Sequence, residues 1–265
     1  MQDNQLNRLG GICAILVGVT YLFVTVFFVL DPTKFISDPH ELWQGLAEEG
    51  TARLMQYWGF ALGAIFAFGA IPAISALVRA KHEGWVLWTA GLAYLSFGVT
   101  AVETFRLVTA VPVWAENYAA GDPAVQNTIV TTDLLLRLDP ATWLRFGALA
   151  PWFLVVSVLA LRHGLLSRPL SYLGIALGAF TAVTAVGVAV GASPVVLVAA
   201  PLGGALAPVW FIWIGVVLRR SGGAADPSAA GAGAAGAGAV GAGAVGPGPA
   251  GRPVAAGGGG RVSDA

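Results

Sequence analysis

Charge is what the chain has least of. Only 11% of its 265 residues are Asp, Glu, Lys or Arg, and 57% are hydrophobic, whereas a soluble globular domain carries about 25% charged residues. So little polar surface excludes an ordinary water-soluble fold. The 14 basic and 14 acidic residues cancel, which leaves no basic stripe for a nucleic-acid partner. The one cysteine, Cys13, rules out an intrachain disulfide and leaves the redox compartment undetermined. It reads as a packed thiol in the first apolar run. All three histidines, His40, His82 and His163, fall between apolar runs, which argues against bis-imidazole haem ligation inside a membrane. The zinc-protease helix pattern, the glycine-flanked serine elbow and the phosphate-cradling glycine loop are all missing. No catalytic, cofactor-binding or metal residue is assigned on this basis.

Long apolar runs are what the chain does have. They lie at about residues 10–30, 57–79, 85–112, 142–162, 169–191 and 195–218. Each approaches or exceeds the roughly 20 residues that cross a ~30 Å hydrocarbon core at 1.5 Å per residue. The fold class expected is therefore an all-α membrane protein: a six-span transmembrane bundle over residues 1–220. The first run continues to Leu30 and ends in Asp31-Pro32. It is too long for a signal-peptide core and lacks a small-residue cleavage site, so it reads as a retained helix. Gly191-Ala192-Ser193-Pro194 separates the last two runs and predicts a tight hairpin.

Basic residues set the expected orientation. Arg8, Arg79, Lys81, Arg162, Arg168, Arg219 and Arg220 mark one side, while Asp31, Asp38, Glu41, Glu48, Glu49, Glu116, Asp122, Asp133 and Asp139 mark the other. The basic side should be cytoplasmic, and an even number of spans puts both termini there. Lys34, Arg53, Arg137 and Arg145 depart from this bias. Tyr57, Trp58, Trp114 and Trp143 fall where an outer aromatic belt would lie, and Trp85, Trp88, Trp210 and Trp213 where an inner one would. Trp152 fits neither and is expected inside the bundle.

Two outer connections carry helix-start signals. Ser37-Asp38-Pro39-His40-Glu41 predicts a short helix to about Glu49, before Gly50. Asp122-Pro123 predicts another through Leu138, with Val125, Ile129 and Leu136 on one face. It should cap the bundle or lie on the outer membrane surface. Asp139-Pro140 then starts the fourth span. Residues 8–79 and 85–162 thus share one order of elements, a possible parallel repeat. Small residues four apart, at Gly59/Gly63, Gly174/Gly178 and Gly187/Gly191, allow close helix approach. Pro72, Pro151, Pro201 and Pro208 permit kinks. From residue 221 to 265 the sequence turns to Gly, Ala and Pro, which predicts a disordered cytoplasmic tail.

One polar constellation could carry a function. Thr89, Ser96, Thr100 and Glu103 share a face of the third span, with Arg106 one turn beyond Glu103 and within reach of an ion pair. Arg145 in the fourth span is a second possible partner for Glu103. If Trp114 sits at headgroup level, Glu103 lies on the order of 10 Å inside the hydrocarbon. If the span instead begins at Trp85 and bends at Pro112, Glu103 is close to the outer interface. Acids within a membrane commonly face the protein interior and often mark function.

The run Asn7-Arg8-Leu9-Gly10-Gly11-Ile12, the span start Ser171-Tyr172-Leu173-Gly174 and the closing Pro208-Val209-Trp210-Phe211-Ile212-Trp213-Ile214-Gly215 resemble a family of small bacterial integral membrane proteins known only as a domain of unknown function. The resemblance covers residues 7–220 and implies about six helices in a bacterial cytoplasmic membrane, with no activity to transfer. Two functional readings stand. One is a non-enzymatic multi-pass protein whose partners are the lipid bilayer and another protein. The other is a small transporter or receptor for a small solute, with a polar cavity along the third span.

Overall fold

The computed structural model describes residues 2–139 and 143–223. Everything described is α-helix or short connection: α1 (Gln2–Leu30), α2 (Pro39–Glu49), α3 (Thr51–Arg79), α4 (Glu83–Ala120), α5 (Pro123–Leu135), α6 (Leu149–Arg162), α7 (Arg168–Ala189) and α8 (Ser193–Gly223). A π-helical turn, Trp143–Gly147, leads into α6. Six helices are long and apolar enough to cross a membrane: α1, α3, α4, α7, α8, and α6 extended back through the π turn. The protein is a multi-pass membrane protein, as its hydropathy predicts. The expected tail lies outside the described residues from 224 onward.

The spans form a closed ring in chain order. Helix α1 packs on α3, α3 on α4, α4 on α6, α6 on α7 and α7 on α8, and α8 returns to α1. Small residues make that last seam possible. A Cβ on Gly11 would fall 2.8 Å from the Gly215 carbonyl, and one on Gly215 would fall 2.6 Å from the Gly11 carbonyl. Only glycine allows the two backbones so close. Gly59 and Gly63 similarly seat α3 against Val24 and Thr20 of α1, and Gly178 seats α7 against Leu154 of α6. Gly187 meets Val196 across the final hairpin, whereas Gly191 adopts φ +70° and turns the chain. Its role is conformational, not packing.

Large aromatics fill the centre of the ring. Trp152, Trp210, Phe153 and Phe211 are buried and meet edge to face, with centroids 5.0–5.9 Å apart, an arrangement suited to ring quadrupoles. Trp152 lies inside the bundle as expected, its Nε1–H donating to Ser75 Oγ at 3.1 Å. Trp210 does not belong to an interfacial belt: it is fully buried, because α8 turns this position toward Phe153 and not outward. Trp85 and Trp88 remain exposed near the start of α4.

One end of the ring carries the α3–α4 and α6–α7 connections, brought together by His82 and His163, whose rings lie 6.4 Å apart. The opposite end carries a cap made by α2 and α5. Both cap helices begin as their sequences predict. Asp38 accepts from the His40 and Glu41 amides at 2.8 and 2.9 Å, and Asp122 from those of Ala124 and Val125 at 3.0 and 2.9 Å. These bonds satisfy amides that a helix start would otherwise leave bare. The cap has its own core of Trp43, Leu46, Val111, Ala115, Tyr118 and Ile129.

Two details of the cap differ from expectation. Helix α5 ends at Leu135, short of Leu138. Val125 and Leu136 are exposed (41% and 48%), while Ile129 and Asp133 are the residues turned inward. Asp133 goes in because two arginines meet it there. The chain after Asp139 passes through residues outside the description, so a helix start at Pro140 is untested.

Candidate functional site

Helix α4 runs 38 residues, about 57 Å at 1.5 Å per residue, nearly twice a ~30 Å hydrocarbon core. Its C-terminal third, carrying Val111, Ala115 and Tyr118, belongs to the cap core. Counting ~20 residues from the exposed Trp85 places the far hydrocarbon boundary near Arg106. On the register that begins at Trp85, Glu103 would lie just inside that boundary.

Thr89, Ser96, Thr100 and Glu103 are all buried, together with Thr104, so the spacing identified a real inward face. Most of its polarity is spent within the protein. Thr89 Oγ1 donates to the Trp85 carbonyl at 2.9 Å, Thr100 to the Ser96 carbonyl at 2.9 Å and Thr104 to the Thr100 carbonyl at 2.6 Å. Ser96 Oγ reaches across to the Arg145 carbonyl at 2.6 Å.

Glu103 pairs with Arg145, not with Arg106. The Arg145 Nη2 lies 2.9 Å from Glu103 Oε2, and the Arg145 amide donates to Asp139 Oδ2 at 2.8 Å. The π turn presents Arg145 to α4 at two levels, through its carbonyl and its guanidinium. Arg106 turns instead toward α5. Its Nη2 is 3.8 Å from Asp133 Oδ1, and its guanidinium lies 5.9 Å from the Trp114 ring centre, within cation–π range. Its Nε, Nη1 and Nη2 are shielded and have no hydrogen-bond acceptor among the described residues. Asp133 also accepts from Arg137 Nη2 at 2.9 Å. Of the six residues singled out in sequence, the structure joins Ser96, Glu103 and Arg145. It leaves Thr89 and Thr100 bonded to their own helix and puts Arg106 in a neighbouring cluster.

A second charged lock joins the α1–α2 connection to α3, and sequence reasoning passed over it. Asp31 is buried and accepts from the Thr33 amide and hydroxyl at 2.8 and 2.7 Å, from Arg53 Nε at 2.5 Å and from Gln56 Nε2 at 3.0 Å. Burial opposes its ionisation. The donors Thr33 and Arg53, with the Arg53 charge, outweigh that and hold the carboxyl below its usual range. The signal was available in Arg53, a cation that breaks the charge bias of its side, and in Asp31 at the other edge of the same connection.

Deeper in the ring, Ser157 Oγ, Ser171 Oγ and Trp210 Nε1 are buried without hydrogen-bond partners among the described residues. A Cβ at Gly174 would strike the first and fall 2.5 Å from the last, so the spot is too tight for a bound group. Among the described residues, no three His, Cys, Asp or Glu side chains are grouped to hold a metal ion. Two open clefts flank the cap, one against Trp114, Asn117 and Thr128, the other against Leu46, Leu54 and Val111. Neither is lined by any of the six residues of the polar face.

The chain belongs to the family described as Domain of unknown function (DUF4386), whose model matches residues 15–216. This is the kind of family to which its span-start motifs pointed. No curated protein and no solved structure matches it.

Proposed function

We propose that the protein works without catalysis, as a structural or interacting partner in a bacterial cytoplasmic membrane. In this reading both termini face the cytoplasm and the α2/α5 cap faces outward. The observation that carries it is the closure of the polar face of α4: Glu103 is taken by Arg145, Ser96 by a carbonyl of the same turn, and both threonines by their own helix. A face so engaged supports rigidity more than passage. The concentration of basic residues at the ring's other end supports the orientation. A reporter fused after Arg220 that functioned only outside the cytoplasm would overturn it.

Thiol accessibility tests the closed face. Glu103→Cys and Ser96→Cys, each with Cys13→Ala, are labelled in intact cells with a water-soluble reagent, beside a control cysteine in residues 35–50. Protection at both positions is expected. Labelling at both as strong as the control would favour the second reading, a small transporter or receptor. One observation favours that alternative: the shielded Arg106 nitrogens beside the same face lack an acceptor among the described residues. Solute flux altered by Glu103→Gln would then identify the cargo.

A further inference from the structure

Glycine in most of the spans marks a place where one helix comes close to another. A Cβ on any glycine of α1, α3 or α7 would fall less than 3.0 Å from an atom of a neighbouring helix. In α4 the opposite holds. Gly84 and Gly91 have nothing within 4 Å among the described residues, and Gly98 meets only the tip of the Phe68 ring, at 4.0 Å. Each glycine weakens a helix relative to alanine, so three without a packing partner inside the chain point to one outside it.

Their spacing says what kind. The three glycines recur every seven residues, and Trp88, Leu95 and Val102 alternate with them at the same repeat. These larger side chains are 55%, 45% and 61% exposed. Steps of four and three residues keep all six on one face of the helix, a different face from that of Ser96 and Glu103. A repeat of 3.5 residues is the seam of a left-handed helix pair. Lipid tails are as apolar as leucine and call for neither glycine nor a repeat. Gly204 of α8 also faces open space, but no glycine lies seven residues from it.

The seam fits itself. In a parallel pair a knob enters a hole that includes the residues four before it and three after it on the facing helix. For Leu95 those positions are Gly91 and Gly98, and for Trp88 they are Gly84 and Gly91. Two chains inserted the same way present α4 in the same direction, and a two-fold axis lets each supply knobs and holes alike. Notches without side chains let the backbones approach, and such packing drives helix association in a membrane.

We propose that the protein is a homodimer in which two copies of α4 pair along Gly84, Trp88, Gly91, Leu95, Gly98 and Val102. The pairing depends on the outward face of α4 alone, and not on whether the inward face is closed.

Cysteine cross-linking of the full chain in membranes tests it. Leu95→Cys and a control on another helix, Val186→Cys, each with Cys13→Ala, are oxidised with copper phenanthroline. Val186 is 55% exposed, no less than Leu95. Covalent dimer is expected from Leu95→Cys and not from Val186→Cys, and adding Gly91→Leu should abolish it. Leucine at 91 enters space that is open within one chain, so the melting temperature should show an intact fold. Alanine is small enough for such a notch and would not discriminate. Equal cross-linking of the two cysteines, or dimer undiminished by Gly91→Leu, overturns the proposal. A cross-link from Leu95→Cys to a different protein overturns it as well, by placing another chain on the seam. The comparison of the two cysteines decides even if Gly91→Leu fails to fold.

Discussion

Arg145 reaches Glu103 at 2.9 Å across 42 residues of sequence and joins the π turn before α6 to the middle of α4. Removing one partner strands the other in a place from which water is largely excluded. Glu103→Gln should lower stability by about 2 kcal/mol, a value reduced from that of a fully buried pair because the Arg145 side chain is 26% exposed. Adding Arg145→Gln should cost less than its own single effect. Thermal unfolding in detergent of both singles and the double measures this, and simple additivity would mean that the pair contributes nothing as a pair.

Asp31 gives stability a dependence on acidity. Its carboxyl titrates below the usual range when folded, so the unfolded chain takes up the proton first. The contribution is complete above the ordinary aspartate value of about 3.9 and disappears as pH falls from there through the folded value. Melting temperature should drop more steeply below about pH 4 in the natural chain than in Asp31→Asn. Parallel curves would remove Asp31 as a source of the dependence.

The α1–α8 seam predicts opposite outcomes for glycines in similar helices. Gly215→Val places a side chain against the α1 backbone and should cost about 1–3 kcal/mol by overpacking. Gly91→Ala meets nothing within 4 Å, so helix propensity should govern and stability should rise by up to about 1 kcal/mol. Unfolding curves of the two variants against the parent decide the matter. Equal effects would mean that the seam tolerates a side chain.

Ser75 is the acceptor for the buried Trp152 indole. Ser75→Ala should cost about 1 kcal/mol, and the same change in a Trp152→Phe background should cost markedly less. A cycle without coupling would show that the hydrogen bond has no worth of its own.

The spans could be read from hydropathy because a helix in a membrane must be apolar along its whole length. The cap helices could be read from Asp38-Pro39 and Asp122-Pro123, since capping is local chemistry. What escaped depends on distant partners. Helix α4 continues eight residues beyond Pro112, although a proline inside a helix costs about 3 kcal/mol. Packing of Val111, Ala115 and Tyr118 into the cap offsets that loss, and no window around residue 112 contains it. Glu103 has a nearby arginine at 106 and a distant one at 145; spacing alone favours the first, and the fold delivers the second. Trp210 looked interfacial because it lies near a span end, but the facing aromatics of α6 make it central.

A ring whose neighbours in space are its neighbours in sequence suits a chain made from one end. Each new span finds the previous one already in the bilayer, so assembly proceeds a hairpin at a time. The face of α1 that carries Gly11 and Gly18 has its partner at the far end of the bundle. That face waits in lipid until α8 leaves the ribosome. Synthesis cut short before residue 193 would leave it bare, a mark by which quality control could recognise an unfinished chain.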